Sequence, residues 1–474
     1  MTFDLLKKVS AILKPTPVYL VGGFVRDLIR GHASPDIDLA TSQNPMRLAE
    51  RLAKTLGGTA FTLDEERGIN RIQLPNGIRF DLARFKGPTL EQDLLARDFT
   101  VNAMALPLDE ASRVTPPFAN VLIDPTGGIR DLSQKTIRAV SKRSFRDDPL
   151  RILRAFRIAA ELGFSIEPAT LRLVKRDKAL LKKISKERIR EELLKLFCVK
   201  SSLPQLELMS RAGILQELLP ESKPMERTAR TYYGKGGVWK HSLEAFEILE
   251  EILGNLGRLF PRCAKPLIAY VEEPISGYPR YSLLKLSELL HDVGKPKTAK
   301  MIGGRLRFFE HEDVGARMTK KILERFRFSS EERDRAGRIV QAHMRPGNLA
   351  TQPMITDRAI FRFFRDLDDD AMGALLVSLA DHLTYVPVRQ RLKWKTPHER
   401  LTKKMVERYF LESEKVSPKK LIDGNTIMKT FSLSPGPLIG EILRAVQESQ
   451  AIGEISNPGQ ALSWIKKKFK AQLK

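Results

Sequence analysis

The sequence predicts an α+β fold: a small mixed-sheet head, then a mainly helical neck, a helical bundle and a helical tail. Two observations carry this prediction. Between Val18 and about Leu132, short β-rich runs alternate with turns, whereas from Pro149 onward apolar residues recur at helical spacing, as in "LRILRAFRIAAELGF" and "KERIREELLKLF". Alternating runs almost vanish after about residue 170. The expected units are residues 1–135, 136–225, 226–400 and 401–474. A chain of 474 residues is long enough for about three domains with substantial cores.

Each element has a local cause. "MTFDLLKKVSAILKPTP" reads as an amphipathic helix stopped at Pro15, since its charges and the lack of a long apolar core argue against a signal peptide. "VYLV" is a compact strand broken by Gly22 and Gly23, "FVRDLIR" is helical up to Gly31, and "DIDLAT" alternates as a strand. In "NRIQLPNGIRFDLARF", Pro75, Asn76 and Gly77 supply a hairpin turn between two alternating runs. "PRCAKPLIAYVEEPISGYPRYS" reads as a looser insertion between helices, and Pro387 to Pro397 as a hinge toward the tail.

Composition narrows the partner. Lys and Arg total 81 against 57 Asp and Glu, a net charge of +24, which favours an anionic partner with nucleic acid ahead of a membrane surface. Cys198 and Cys263 lie far apart and outside any metal-type spacing, so a reducing compartment fits. No run of about 18 uncharged apolar residues occurs, so a soluble, cytoplasmic protein without a membrane partner is expected.

On a strand, Asp36 and Asp38 share one face while Ile37 and Leu39 enter the core. In "IRFDLA" the core takes Ile78, Phe80 and Leu82, which leaves Asp81 on the opposite face. Three such carboxylates repel one another unless cations lie between them, and hard divalent ions such as magnesium accept carboxylates together with substrate phosphates. Two ions could activate a hydroxyl and neutralise a leaving pyrophosphate, giving Asp36, Asp38 and Asp81 a catalytic role. Gly22 and Gly23 clear a path for a triphosphate to backbone N–H groups at the start of a helix.

"GGFVRD" with "DIDLAT", followed in order by "RDFTVNAMA", "IDPTGGIRDL", "DDPLRILRAFRIAAELGF" and "ISKERIREEL", resembles the bacterial-type tRNA nucleotidyltransferase and poly(A) polymerase family. The resemblance implies an enzyme that adds nucleotides from CTP and ATP to a tRNA 3′ end with magnesium. It also implies that Arg97, Asp98 and Asn102 contact ribose and triphosphate, that Arg26 joins the nucleotide site, and that Asp148, Arg151, Arg154 and Arg157 form an amino-acid template for the base. A carboxylate accepts from the exocyclic amine of cytosine or adenine, and a guanidinium donates to the ring acceptor beside it. Locally, Asp148 before Pro149 reads as a helix N-cap, and Ser185 as another. Two departures stand out. Ala96 replaces a second arginine common in the family, and "RFKGPTLEQDLLARDFT" lacks the long flexible loop of CCA-adding relatives, so it resembles enzymes that add only the two cytidines. The basic stretch of a poly(A) polymerase is absent, which makes that activity the weaker alternative.

Five of the seven histidines lie between residues 241 and 382. His241, "HD" at 291 and 292, His311, His343 and Asp381 come from separate helical segments, a donor set suited to a metal within a bundle. The order resembles the HD phosphohydrolase superfamily, which implies one divalent metal on His241, His291, Asp292 and Asp381, with His311 and His343 available for a second. A phosphate ester such as a 2′,3′-cyclic phosphate on an RNA end would be its substrate. Other readings are an RNA-binding protein with an idle transferase site, and a chain whose main activity is the HD hydrolase. The tail, closing on "WIKKKFKAQLK", resembles the carboxy-terminal region of some tRNA nucleotidyltransferases and is basic enough to track RNA phosphates.

Overall fold

The computed structural model describes residues 2–32, 34–65, 68–111, 118, 120–416 and 418–472. They form two compact units, one spanning Met1–Glu192 and Pro204–Leu218, the other Leu193–Leu203 and Leu219–Lys474.

The first unit is built on a mixed sheet of six strands: β1 (Val18–Val21), β2 (Asp36–Thr41), β3 (Thr59–Asp64), β4 (Ile69–Gln73), β5 (Arg79–Arg84) and β6 (Ala105–Pro107), in the order β3-β4-β5-β2-β1-β6. All neighbours run antiparallel except β2 and β5. Alternation decides the faces, for Ile37, Leu39, Phe80 and Leu82 are buried while the aspartates between them stay on the other side. The β4–β5 hairpin closes where the sequence places it: Gly77 adopts φ +85° and the Asn76 side chain accepts from the Ile78 N–H at 3.2 Å. Asn44 caps the helix Pro45–Leu56 by accepting from the N–H groups of Met46 and Arg47.

The helix Arg151–Leu162 buries Ile152, Leu153, Ala155, Phe156 and Ala159, and stops at Gly163 with φ +66°. It starts later than the expected Asp148 cap. Asp148 Oδ1 instead accepts from the N–H of Leu150 at 3.1 Å, making a turn around Pro149 that leads into the helix.

The second unit is mainly helical. Helices Gly237–Gly254, Arg280–Leu290, His311–Arg325, Ser330–Ala342 and Ala371–Leu383 frame its centre. The last of these presents an almost unbroken run of buried apolar residues. Lys285 and Glu250 form a buried pair at 2.7 Å; Lys285 also donates to the Val199 carbonyl, and Glu250 accepts from Ser202. The stretch expected to be an insertion is part of the core: helix Ala264–Glu272 buries Leu267, Tyr270 and Val271, and a short hairpin follows it. Its apolar residues keep helical spacing despite the flanking prolines. A second hairpin pairs Lys300–Ile302 with Arg305–Arg307.

The tail packs Ile427, Ile442, Ile465 and Phe469 into a small core of its own. In its closing helix Ile465 is buried while Lys466, Lys467 and Lys468 are exposed. Lys474 and its neighbour at 473 lie outside the described residues. Among the described residues no helix is long and apolar enough to cross a membrane.

Candidate functional site

In the first unit a cleft of about 330 Å³ opens over the sheet. Gly22, Gly23, Asp38, Asp81, Arg97, Asp98, Asn102, Asp148, Arg151 and Arg154 line it. The parallel register sets Asp38 beside Asp81 and Asp36 beside Arg79. Gly22 has φ +71°, and a side-chain carbon there would lie 2.9 Å from Asp38 Oδ2 and 3.1 Å from Arg97 Nη1. Glycine therefore satisfies both the left-handed backbone and the close approach of the carboxylate.

The three aspartates are not equivalent. Arg71 donates two hydrogen bonds of 2.7 Å to Asp81, and Arg79 pairs with Asp36 at 2.5 Å. The Asp38 carboxylate has no such hydrogen-bonded arginine among the described residues. Burial pushes its carboxyl up to about 6; Arg97 opposes this, while Asp81 and Asp36 reinforce it. A divalent cation against Asp38 would relieve that destabilisation, so the carboxylate chemistry fits a metal of the hard, oxygen-seeking kind.

Behind the carboxylates runs a polar chain. Arg26 donates to Asn102 at 2.8 Å, and Asn102 donates to Asp98 at 3.1 Å. Arg154 donates twice to the other Asp98 oxygen, at 2.9 and 2.6 Å. Burial alone would raise the Asp98 carboxyl, but Arg154 and the hydrogen bonds outweigh it and hold it well below the usual range. Arg97 is braced by Asp93 at 2.8 Å. Across the cleft, Arg151 is buried and donates to the carbonyls of Ala96 at 2.7 Å, Arg97 at 3.1 Å and Ser144 at 3.4 Å.

Two residues expected in the nucleotide site sit apart from the cleft lining. Arg26 turns to Asp27 and Asn102, and Arg157 is held by Glu192 and Glu161 at 2.7 Å each. Their guanidiniums brace the site's framework. Conversely, Arg188 lines the cleft and pairs with Asp148 at 3.1 Å. It lies one turn inside "ISKERIREEL", a stretch in which the sequence drew attention to Ser185. Arg71 and Arg79 were equally hidden, because their partners are fixed by strand register rather than by spacing.

The second unit gathers the other set. His241 Nε2 lies 3.3 Å from Asp292 Oδ2 and 3.0 Å from Asp381 Oδ1. His291 Nε2 is 3.3 Å from the same Asp292 oxygen. His311 and His343 approach the other Asp292 oxygen at 3.4 and 3.9 Å. Asp292 thus faces histidines through both of its oxygens. His291, His311 and His343 each point Nδ1 at the backbone carbonyl three residues earlier, at 2.7, 2.8 and 2.6 Å. That bond takes the ring proton and turns the Nε2 lone pair inward.

Four Nε2 atoms and one oxygen each of Asp292 and Asp381 are buried without a hydrogen-bond partner. Orphaned buried polar atoms of this kind fit a divalent metal, and the His and Asp donors lie close enough together to hold one. Lys295 lies 2.5 Å from Asp292 and donates to Tyr233, whose hydroxyl meets that of Tyr385 at 2.9 Å. The Gly294 α-carbon is pressed against the next helix, for a side-chain carbon there would lie 2.2 Å from the His311 carbonyl.

Two measurements check this electrostatics. Because the folded Asp38 carboxyl is raised above its unfolded value, it stays protonated below about pH 6 and the metal-free fold loses this contribution as pH rises through that value. Magnesium should therefore raise the melting temperature of the wild type more than that of Asp38→Asn at pH 7.5. The difference should shrink toward zero at pH 5. In the second unit, burial opposes protonation of His241, but the adjoining Asp292 and Asp381 carboxylates outweigh it and push it up to about 9. Metal binding at pH 7.5 should release about one proton per cluster, read by calorimetry in buffers of different ionisation enthalpy; His241→Ala should abolish that release.

The sequence matches the poly A polymerase head domain family over residues 18–138, the probable RNA and SrmB-binding site of polymerase A over residues 163–225, and the HD domain over residues 238–386. An A-adding tRNA nucleotidyltransferase from Deinococcus radiodurans is 33% identical over 96% of each chain. A CC-adding tRNA nucleotidyltransferase from Geobacter sulfurreducens is 29% identical over 95% of this chain and 91% of its own. The fold is similar to that of a Thermotoga maritima CCA-adding enzyme complexed with tRNA, with a TM-score of 0.63 and 23% identity, covering 100% of this chain and 95% of that one. With a glycine turn against a strand aspartate and an HD cluster in one polypeptide, the chain belongs to the tRNA nucleotidyltransferase and poly(A) polymerase family.

Proposed function

We propose that the chain adds nucleotides to the 3′ end of tRNA in the cytoplasm, taking them from CTP or ATP. The observation that carries this reading is the single cleft in which Gly22, Asp38, Asp81 and Arg97 oppose Asp148 and Arg151. One side is chemically suited to a triphosphate and its metals, the other to the polar edge of a base. Magnesium held by Asp36, Asp38 and Asp81 would activate the RNA hydroxyl and neutralise the departing pyrophosphate. Arg97 meets phosphate, and the glycine turn admits it to the start of the helix Gly22–Ile29. Asp98, held ionised and in place by Arg154 and Asn102, is an acceptor suited to a ribose hydroxyl.

Asp148 accepts from an exocyclic amine, and Arg151 presents donors where guanine and uracil carry a ring N–H, which excludes them. Partial addition is favoured over the full triplet, because only 16 residues, 82–97, separate Asp81 from Asp98. Among curated relatives that match along nearly the whole chain, one adds A and three add CC. Addition of CC follows from the missing loop, and addition of A is the second reading, favoured by the higher identity of the Deinococcus relative.

The second unit supports a metal-dependent phosphohydrolase acting on a phosphate ester at an RNA end, with the orphaned His and Asp atoms holding the metal. A metal there would supply a hydroxide nucleophile at neutral pH. Lys295, fixed between Asp292 and Tyr233, places a positive charge at the edge of the cluster.

The deciding assay supplies tRNAs ending before the terminal triplet, after its first C and after its second C, each with a single nucleotide or all four. Products are resolved at single-nucleotide length. Incorporation confined to C or A is expected, stopping short of the full triplet. Arg151→Ala should lower the preference for C or A over U and G by about 10- to 100-fold, with a smaller change in triphosphate affinity. Incorporation of all four nucleotides by the wild type would remove the template, and none by any substrate would remove the transferase.

A further inference from the structure

We propose that the two-stranded ribbon Lys300–Arg307 is a landing surface for a single-stranded RNA end bound for the histidine cluster. This rests on the phosphohydrolase reading of that cluster and names its substrate class: an ester at the end of an unpaired strand, not a free mononucleotide.

The ribbon interrupts the cluster's own sequence. The chain leaves at Asp292 and returns at His311, whose side chains stand 3.4 Å apart. Between them Lys300–Ile302 pairs with Arg305–Arg307 around Gly303 and Gly304, both in the left-handed region at φ +55° and +73°. At its foot, Phe308 lies under the Lys295 ammonium at 5.7 Å, and Lys295 touches Asp292.

Register decides what the ribbon presents. Lys300 stands opposite Arg307, and Ile302 opposite Arg305, so three cations share one face while Met301 and Leu306 take the other. Like charges directly opposite each other destabilise a strand pair, and an isolated hairpin is marginal to begin with. A ribbon selected for its own stability would carry a carboxylate across from Lys300. Instead the Lys300, Arg305 and Arg307 side chains have no ion pair among the described residues, and Glu310 is the sole carboxylate in residues 300–310. The apolar side chains here are not hidden either: Met301 and Phe309 are each 67% exposed and Ile302 is 49% exposed.

Cations that follow a phosphate backbone beside an exposed aromatic ring are the recognition chemistry of single strands. An A-form duplex keeps its bases stacked, so it offers Phe309 nothing to stack on. Charge complementarity and the open ring therefore select an unpaired RNA strand as the occupant.

The test uses the full chain loaded with manganese and three substrates: bis(p-nitrophenyl) phosphate, a single-stranded oligoribonucleotide ending in a 2′,3′-cyclic phosphate, and the same end on a blunt duplex. Combined Lys300→Ala, Arg305→Ala and Arg307→Ala should raise KM for the single strand roughly tenfold or more and flatten the log–log salt dependence by about 2. Phe309→Ala should raise the same KM about fivefold or more. Hydrolysis of the small diester should stay unchanged in both variants. Unchanged KM for the strand, equal loss on the small diester, or a loss confined to the duplex would overturn the proposal. If the wild type hydrolyses no substrate, the phosphohydrolase reading fails by itself. The ribbon is then judged by photo-cross-linking of a strand with a terminal thiouridine: label within residues 300–310 supports it, and label elsewhere overturns it.

Discussion

Asp38 and Asp81 are held side by side by a parallel pairing of β2 and β5, and the strand alternation that buries Leu39 and Leu82 gives their carboxylates no second face to occupy. The first unit is arranged around the cost of that placement. Arg71 and Arg79 neutralise the flanking Asp81 and Asp36, while Asp38 is pressed against a glycine and keeps a raised carboxyl. A site so arranged is stable with a proton on Asp38 or with a cation beside it. The glycine turn that makes room for Asp38 also opens the helix start to phosphate, so both requirements meet in one residue, Gly22.

The histidine cluster solves a similar problem with different donors. In the β-sheet the excess is of negative charge; in the bundle it is of unpartnered lone pairs. His291, His311 and His343 are each tied through Nδ1 to their own helix or turn, so backbone geometry dictates the direction of every Nε2. Glu288 lies behind His291, with its carboxyl raised by burial and by the Asp381 and Asp292 charges. The close packing of Gly294 against His311 explains why glycine follows the HD pair at this distance.

Much of this was legible in the sequence because the signals were periodic or compositional. Alternation placed Asp36, Asp38 and Asp81 on one face, and Asn76-Gly77 fixed the hairpin that brings the third carboxylate into register. The clustering of histidines in one half of the chain pointed to the second site. What escaped were pairings set by tertiary contact. Arg188 meets Asp148 across 40 residues, and Arg157 is claimed by Glu192 on another helix, so neither role can be read from spacing along one helix. The start of the helix at Arg151 rather than just after Asp148 depends on a turn in which the same aspartate side chain bonds two residues ahead, a local alternative to capping. The helix Ala264–Glu272 was hidden by prolines on either side of an otherwise regular apolar stripe.

The three strand aspartates are suited to hold divalent cations around a triphosphate. Crystals grown with manganese and a non-hydrolysable CTP or ATP analogue test it through anomalous scattering. Manganese is expected between Asp38 and Asp81, with the triphosphate against Gly22 and Arg97 and the Arg71 and Arg79 pairs loosened. A nucleotide bound in the cleft with no metal at Asp38, or manganese confined to the histidine cluster, would contradict it.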